Sequence, residues 1–220
     1  MKRFFESLLN ERSYLLFLSI ITIYWLINYV TNEYVLTDSL MYDSLYGQLP
    51  EQYIDRAIAF QRKWAWVSYA LFPVILVLKW LFVSAFIATG TVFMNFNIRF
   101  KQIFKTTMAC EWIFITAGVV NFIVLLFSNV QNLEEMQRFN VISILSIGHF
   151  IQGLVGLEWL VAPLQSLNVL QLIFVFALAL GVSVVSNEKF GKSITLVAKS
   201  YGAALVIWIV LIAYISVSYA

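Results

Sequence analysis

Two charged residues stand inside long apolar runs of this chain, Lys79 and Glu111, and the first chemistry to ask for is theirs. An ion in a hydrocarbon layer is costly, so it faces a bundle interior or water and pairs with another polar group where it can. Lys79 and Glu111 are therefore the leading candidates for an intramembrane polar site. Their places in the two runs argue against a simple pair. Lys79 is deep in its run, whereas Glu111 lies only about four residues into a run that begins near Thr107, which separates their depths by roughly 10 Å or more. Lysine closes part of such a gap by snorkelling, and Asn95, Asn97 and Asn121 offer other polar neighbours.

His149 is the sole histidine. It could titrate, donate a hydrogen bond inside a bundle, or ligate a metal together with Glu158. On one continuous helix, advancing about 100° per residue, the spacing puts His149 and Glu158 on opposite sides. A shared site needs a break between them, and Gly153 and Gly156 are the local features that permit one. The simpler reading of His149 is structural. It joins Glu158, Lys79 and Glu111 as a candidate member of an intramembrane polar site.

The usual tools of catalysis are missing. Cys110 is the only cysteine, which leaves no intrachain disulfide or cysteine-rich metal site, and it reads as a buried, inert thiol. There is no HExxH, no phosphate-binding GxxxxGK[ST] and no carboxylate pair at a spacing suited to acid–base work. The sequence thus points to no catalytic residue, cofactor or metal, and to no nucleic-acid partner. A different kind of chemistry is offered by Asn97 to Lys105, where Arg99, Lys101 and Lys105 alternate with Ile and Phe. That pattern suits contacts with anionic lipid headgroups, and it also enforces topology.

The elements that would position these residues follow from composition. Of 220 residues, 61% are hydrophobic and 12% charged, about half the charged share of a soluble domain. Water is the wrong solvent for most of such a chain. Five apolar segments have membrane length: Tyr14 to Val30, Trp64 to Phe96, Thr107 to Phe127, Leu167 to Val185, and Tyr201 to Tyr219. The first lacks a small-residue cleavage site and reads as a retained helix. The second is long for one crossing and is expected to tilt, break or extend past the interface, with Pro73 and Gly90 as candidate irregularities.

A further apolar stretch, Val141 to Leu164, has the length of a sixth crossing. Charge argues otherwise. With five spans and the N-terminus inside, Lys2, Arg3, Arg12, Arg99, Lys101, Lys105, Lys189, Lys192 and Lys199 are inside, and Arg56, Arg62, Lys63 and Arg138 outside. This split satisfies the positive-inside rule, and a sixth crossing would reverse the Lys189 to Lys199 cluster. Residues 141–164 are therefore expected to form an interfacial or re-entrant segment. Residues 31–63 form an outer loop too thin in aliphatic residues for its own core, and Leu49-Pro50-Glu51-Gln52 could begin a short helix there. The expected fold class is all-α, a polytopic membrane helical bundle of about five transmembrane helices forming one integral membrane domain over 1–220.

Leu167-Asn168-Val169-Leu170-Gln171-Leu172-Ile173-Phe174, running into Ala179 to Val185 and then a basic turn from Lys189 to Lys199, resembles the Yip1-domain membrane proteins. A second likeness is Ala88-Thr89-Gly90 followed by Phe100 to Phe104 at the entry to the third span. The resemblance runs loosely over Leu71 to Ser218. It implies a multi-pass, non-enzymatic scaffold or accessory subunit that meets lipids, other membrane proteins or a second copy of itself. The chain lacks the long soluble N-terminal region of eukaryotic relatives, so its compactness points to the bacterial type, in the cytoplasmic (inner) membrane with the N-terminus inside and the C-terminus outside. The alternative is a small-solute or ion permease using the polar residues Lys79 and Glu111.

Overall fold

The computed structural model describes residues 7, 12–47, 49–128, 130, 132–154 and 158–219. Lys2, Arg3 and Gly156 lie outside them, and of Glu158 only the backbone is described. Among the described residues, five helices are long and apolar enough to cross a membrane. They are α1 (Ser13–Tyr34), α3 (Glu51–Phe93), the composite of α4 (Phe100–Cys110) and α5 (Trp112–Phe127), α10 (Val169–Ser186) and α11 (Phe190–Tyr219). Between them lie α2 (Asp38–Leu45), α6 (Leu133–Arg138), α7 (Val141–Ile144), α8 (Ile147–Ile151) and α9 (Glu158–Gln165). The chain is a polytopic helical membrane bundle.

Several boundaries differ from the sequence expectation, and each for a local reason. Residues 31–63 are mostly helical. Thr37 caps α2 by accepting from the Leu40 N–H at 3.4 Å, and Pro50 stands at the N-cap of α3 with φ −60°. Instead of a short surface helix, Pro50 opens a 43-residue helix that runs unbroken through Pro73 and Gly90. At 1.5 Å per residue it measures roughly 65 Å, far more than a roughly 30 Å hydrocarbon layer. The excess extends past the interface, as one of the expected solutions had it. The third span begins at Phe100, because the backbone N–H of Arg99 donates to the Gln102 side chain at 3.0 Å and starts the helix there. Likewise the supposed basic turn from Lys189 to Lys199 is helical from Phe190 onward.

Among the described residues of 141–164 there is no membrane-length helix. Three N-cap side chains, Asn140, Ser146 and Asn168, each start a new helix in or beside this stretch by accepting backbone N–H bonds. Gly153, with φ +89°, supplies the left-handed turn that follows α8. Asn121 of α5 accepts from the Val141 N–H at 2.9 Å, which moors this cap to the bundle.

The bundle interior is a continuous apolar core including Ile20, Trp80, Ile87, Ile103, Met108, Phe174, Leu178 and Leu196. Its outside is also apolar: Leu18, Leu26, Val74, Leu78, Ile123, Leu172, Val206 and Val210 are all exposed. That combination suits hydrocarbon on the outside, where all backbone polar groups of a span must be satisfied within the helix. The inward stripe of α3, with Leu76, Trp80, Val83, Ser84, Ile87 and Thr91 buried, repeats every three or four residues and faces the other helices.

Candidate intramembrane polar site

Lys79 and Glu111 form one ion pair. The Lys79 Nζ is 2.8 Å from Glu111 Oε1 and 3.0 Å from Oε2. Glu111 is 1% exposed, and it accepts two further hydrogen bonds, from the Tyr24 hydroxyl at 3.0 Å and the Trp80 indole N–H at 2.9 Å. Each carboxylate oxygen therefore has two donors, which fills its accepting capacity. Helices α1 and α3 both donate to one residue at the junction of α4 and α5.

The expected separation in depth is corrected by the true helix ends. Because α4 starts at Phe100, Glu111 is roughly 17 Å along its span, while Lys79 is roughly 21 Å from the Phe93 end of α3. The lysine arm covers the remaining few ångströms. Tyr24, roughly 17 Å into α1, lies at the same level. Asn95, Asn97 and Asn121 are not the partners of this pair: Asn95 occupies a left-handed turn position at φ 54°, and Asn121 serves Val141.

Glu111 also marks a change in the helix itself. Its N–H bonds to the Met108 carbonyl three residues back, and its carbonyl accepts from Phe114 three residues on as well as from Ile115. This tightened turn divides α4 from α5, the kind of mid-helix 3₁₀ step that often accompanies a working residue. Cys110 next to it is buried, as expected of an inert thiol.

Lys79 occupies the edge of the inward stripe, one residue before Trp80, so it belongs to two surroundings. Its Nζ stands 4.1 Å from the centroid of the Phe114 ring and 5.8 Å from that of Phe174, cation–π contacts that help hold a desolvated ammonium. Yet 36% of its side chain remains accessible. Lys79 is also among the residues lining a cavity of about 600 Å³ between α3, the start of α10 and α11, where Gln171 and Tyr201 supply further polar groups. Gln171 donates to the Tyr201 hydroxyl across α10 and α11. A second buried polar link, Ser84 to Thr107 at 3.1 Å, ties α3 to α4 one turn away.

The other sequence candidates lie elsewhere. His149 is on α8 with its ring edge-on to Phe150 at 6.0 Å, and Glu158 begins α9 on the far side of the Gly153 turn. His149 does not join the Lys79–Glu111 centre through a hydrogen bond among the described residues, the Glu158 side chain lies outside them, and no metal-binding cluster occurs among the described residues. Arg99 and Lys101 are exposed beside the Met94 to Arg99 turn, and Lys105 is half-buried on α4. Tyr24, Trp80, Gln171 and Tyr201 were not singled out from sequence for this site. The available signal was the mid-span Tyr and Trp, whose polar tips need partners once buried.

Fold and site together define a multi-pass helical membrane protein with a buried ion pair that borders an intramembrane cavity. No family model matches the chain, and neither a curated protein nor a solved structure is significantly similar to it.

Proposed function

We propose that the chain is a small-solute or ion permease with Lys79 and Glu111 as its working centre. The observation that supports this reading is that Lys79 is shared between a saturated, buried Glu111 and an open cavity at mid-bundle. A purely structural pair gains little from such an opening, since buried ion pairs seldom out-stabilise apolar packing. A centre that exchanges one partner for another needs it. Intramembrane ionisable residues mark such pathways.

The orientation proposed is N-terminus inside and C-terminus outside in a bacterial cytoplasmic membrane, from the distribution of Lys and Arg. Under it, Arg99 and Lys101 meet the inner headgroup layer. The Yip1-like scaffold or accessory-subunit reading is the competitor. It is favoured by the outer end of α3, where Tyr53, Phe60, Trp64 and Trp66 are exposed on a helix long enough to leave the bilayer.

Purified protein in liposomes, with small organic anions, organic cations and neutral solutes offered in turn, tests the proposal. A permease gives saturable, protein-dependent flux of one class, reduced at least ten-fold by Glu111→Gln. If no class moves faster than through empty liposomes and a partner copurifies at fixed stoichiometry, the scaffold reading replaces it.

A further inference from the structure

We infer that the cavity beside Lys79 takes an amphipathic organic acid of the fatty-carboxylate class, which enters from the lipid and is bound together with one proton. This deepens the permease reading by naming its substrate class and rests on that reading for the site's use.

The walls decide the route of entry. Ile75, Leu78, Phe82 and Trp208 line the cavity and are also exposed on the bundle surface. The opening therefore faces acyl chains, and a ligand that arrives sideways must be lipid-soluble. At about 600 Å³ the space lies within the usual range for a small-molecule site, and its lining is mostly apolar. The polar groups gather around Lys79, Gln171 and Tyr201, with Asn168 nearby at the start of α10. An apolar body with one polar head fits this division.

The charge count decides the head. Lys79 and Glu111 sum to zero, and Glu111 uses at most two of the three ammonium protons, so the third, engaged by the weaker cation–π contacts with Phe114 and Phe174, is the donor a ligand would take. An alcohol makes poor use of that ammonium, and an organic cation is repelled by it. A bare carboxylate would leave two buried anions for one cation, an expensive arrangement. A carboxylic acid entering in its neutral form avoids this cost. Lys79 gives a proton to the Glu111 oxygen 2.8 Å away and receives the acid's proton. The products are a carboxylate held by the Lys79 ammonium and a protonated Glu111. One proton has moved, the total charge is still zero, and no other reactant is required.

Titratable groups facing Glu111 from the surrounding helices are Tyr24 on α1, Lys79 on α3, its neighbour Cys110 on α4, and Tyr201 on α11. Phenols and thiols are ordinarily neutral at pH 7, which leaves the carboxylate as the group able to take the proton.

Calorimetric titration of the full chain in lipid nanodiscs, with empty nanodiscs subtracted, tests the inference using decanoate, decanol, decyl phosphate and decyltrimethylammonium. Repeating it in buffers of different ionisation enthalpy counts protons. Decanoate should bind saturably with uptake of about one proton per chain near neutral pH, the phosphate more weakly because one cation faces two charges, and the other two should only partition. Glu111→Gln should retain decanoate binding and lose the proton uptake. Gln171→Leu, which leaves the ion pair intact, should weaken binding about ten-fold, and Leu205→Trp should block the cavity.

A decanoate with a photoreactive tail should label Leu78 and Trp208 in preference to lipid-facing residues across the bundle. Equal binding of decanol, absence of proton uptake, or labelling spread evenly round the bundle overturns the inference. Decanoate binding without flux defeats only the permease reading, and flux of another solute without decanoate binding defeats only this inference.

Discussion

At the residue scale, the unusual feature is a carboxylate held by four hydrogen bonds in a region where lipid offers none. Tyr24 reaches Glu111 from α1 and Trp80 from α3, so the two side chains hold the carboxylate while Lys79 faces its cavity. Removing the phenol alone leaves the ion pair in place. Tyr24→Phe should therefore cost about 1.5 kcal/mol, the lower end for a hydrogen bond to a charged group. A double-mutant cycle with Glu111→Gln should return a coupling of about 1 kcal/mol in reversible unfolding from mixed micelles; strict additivity would mean that the bond contributes nothing. Lys79→Met is a harsher change, expected to cost about 3 kcal/mol because it strands a buried carboxylate. Pairing it with Glu111→Met should recover most of the loss, and failure to recover would show that Glu111 matters to stability through Tyr24 and Trp80 instead.

At the element scale, the long helices meet at positions of small side chains. A Cβ built on Gly90 of α3 would lie 2.7 Å from the Ser200 Cβ of α11, too close for either helix to stay where it is. Gly90→Ala should accordingly lower the melting temperature in detergent, by an overpacking cost of about 1–3 kcal/mol. Adding Ser200→Gly should restore it, whereas an unchanged melting temperature for Gly90→Ala alone would place α3 and α11 farther apart than the structure does.

Gly90 was visible in the sequence only as a possible irregularity, since a residue's partner across a helix interface leaves no local trace. The spans themselves were legible because hydrocarbon thickness sets a length and excludes charge. Their ends were not: Phe100 to Thr106 and Phe190 to Ser200 mix charged and apolar residues, and hydropathy cannot distinguish an interfacial helical turn from a loop. The Lys79–Glu111 pair was legible as two costly charges. Its geometry was obscured because misplacing the start of α4 by seven residues put Glu111 at the wrong depth.

At the scale of the whole molecule, the two ends of the bundle can be matched from contacts on opposite sides. The Nζ of Lys192, just inside α11, stands 5.0 Å from the ring of Phe96 in the turn after α3, so the 94–99 and 187–189 connections share one end. At the other end the Leu133 N–H donates to Ser44 Oγ at 2.9 Å, and Ser146 pairs with Asn168 at the entry to α10. The segment between α5 and α10 thus leaves and re-enters at the same end, which an additional crossing would forbid. Its tight seat agrees: a Cβ on Gly148 would be 2.5 Å from the Val161 carbonyl, so α8 rests directly on α9 as a folded cap. Which end faces the cytoplasm is then a question for the Lys and Arg distribution, and it can be read by membrane-impermeant thiol labelling in a Cys110→Ala background. Gln52→Cys and Gln137→Cys, both at exposed positions, report the capped end. Asn97→Cys and Gly191→Cys report the other, and at Gly191 an added side chain meets nothing within 4 Å. In intact cells the first two should label and the last two should label only after the membrane is opened. Gly191 labelling together with Gln137 would mean an additional crossing between α5 and α10, and reversal of both pairs together would keep the five-span fold while inverting the orientation.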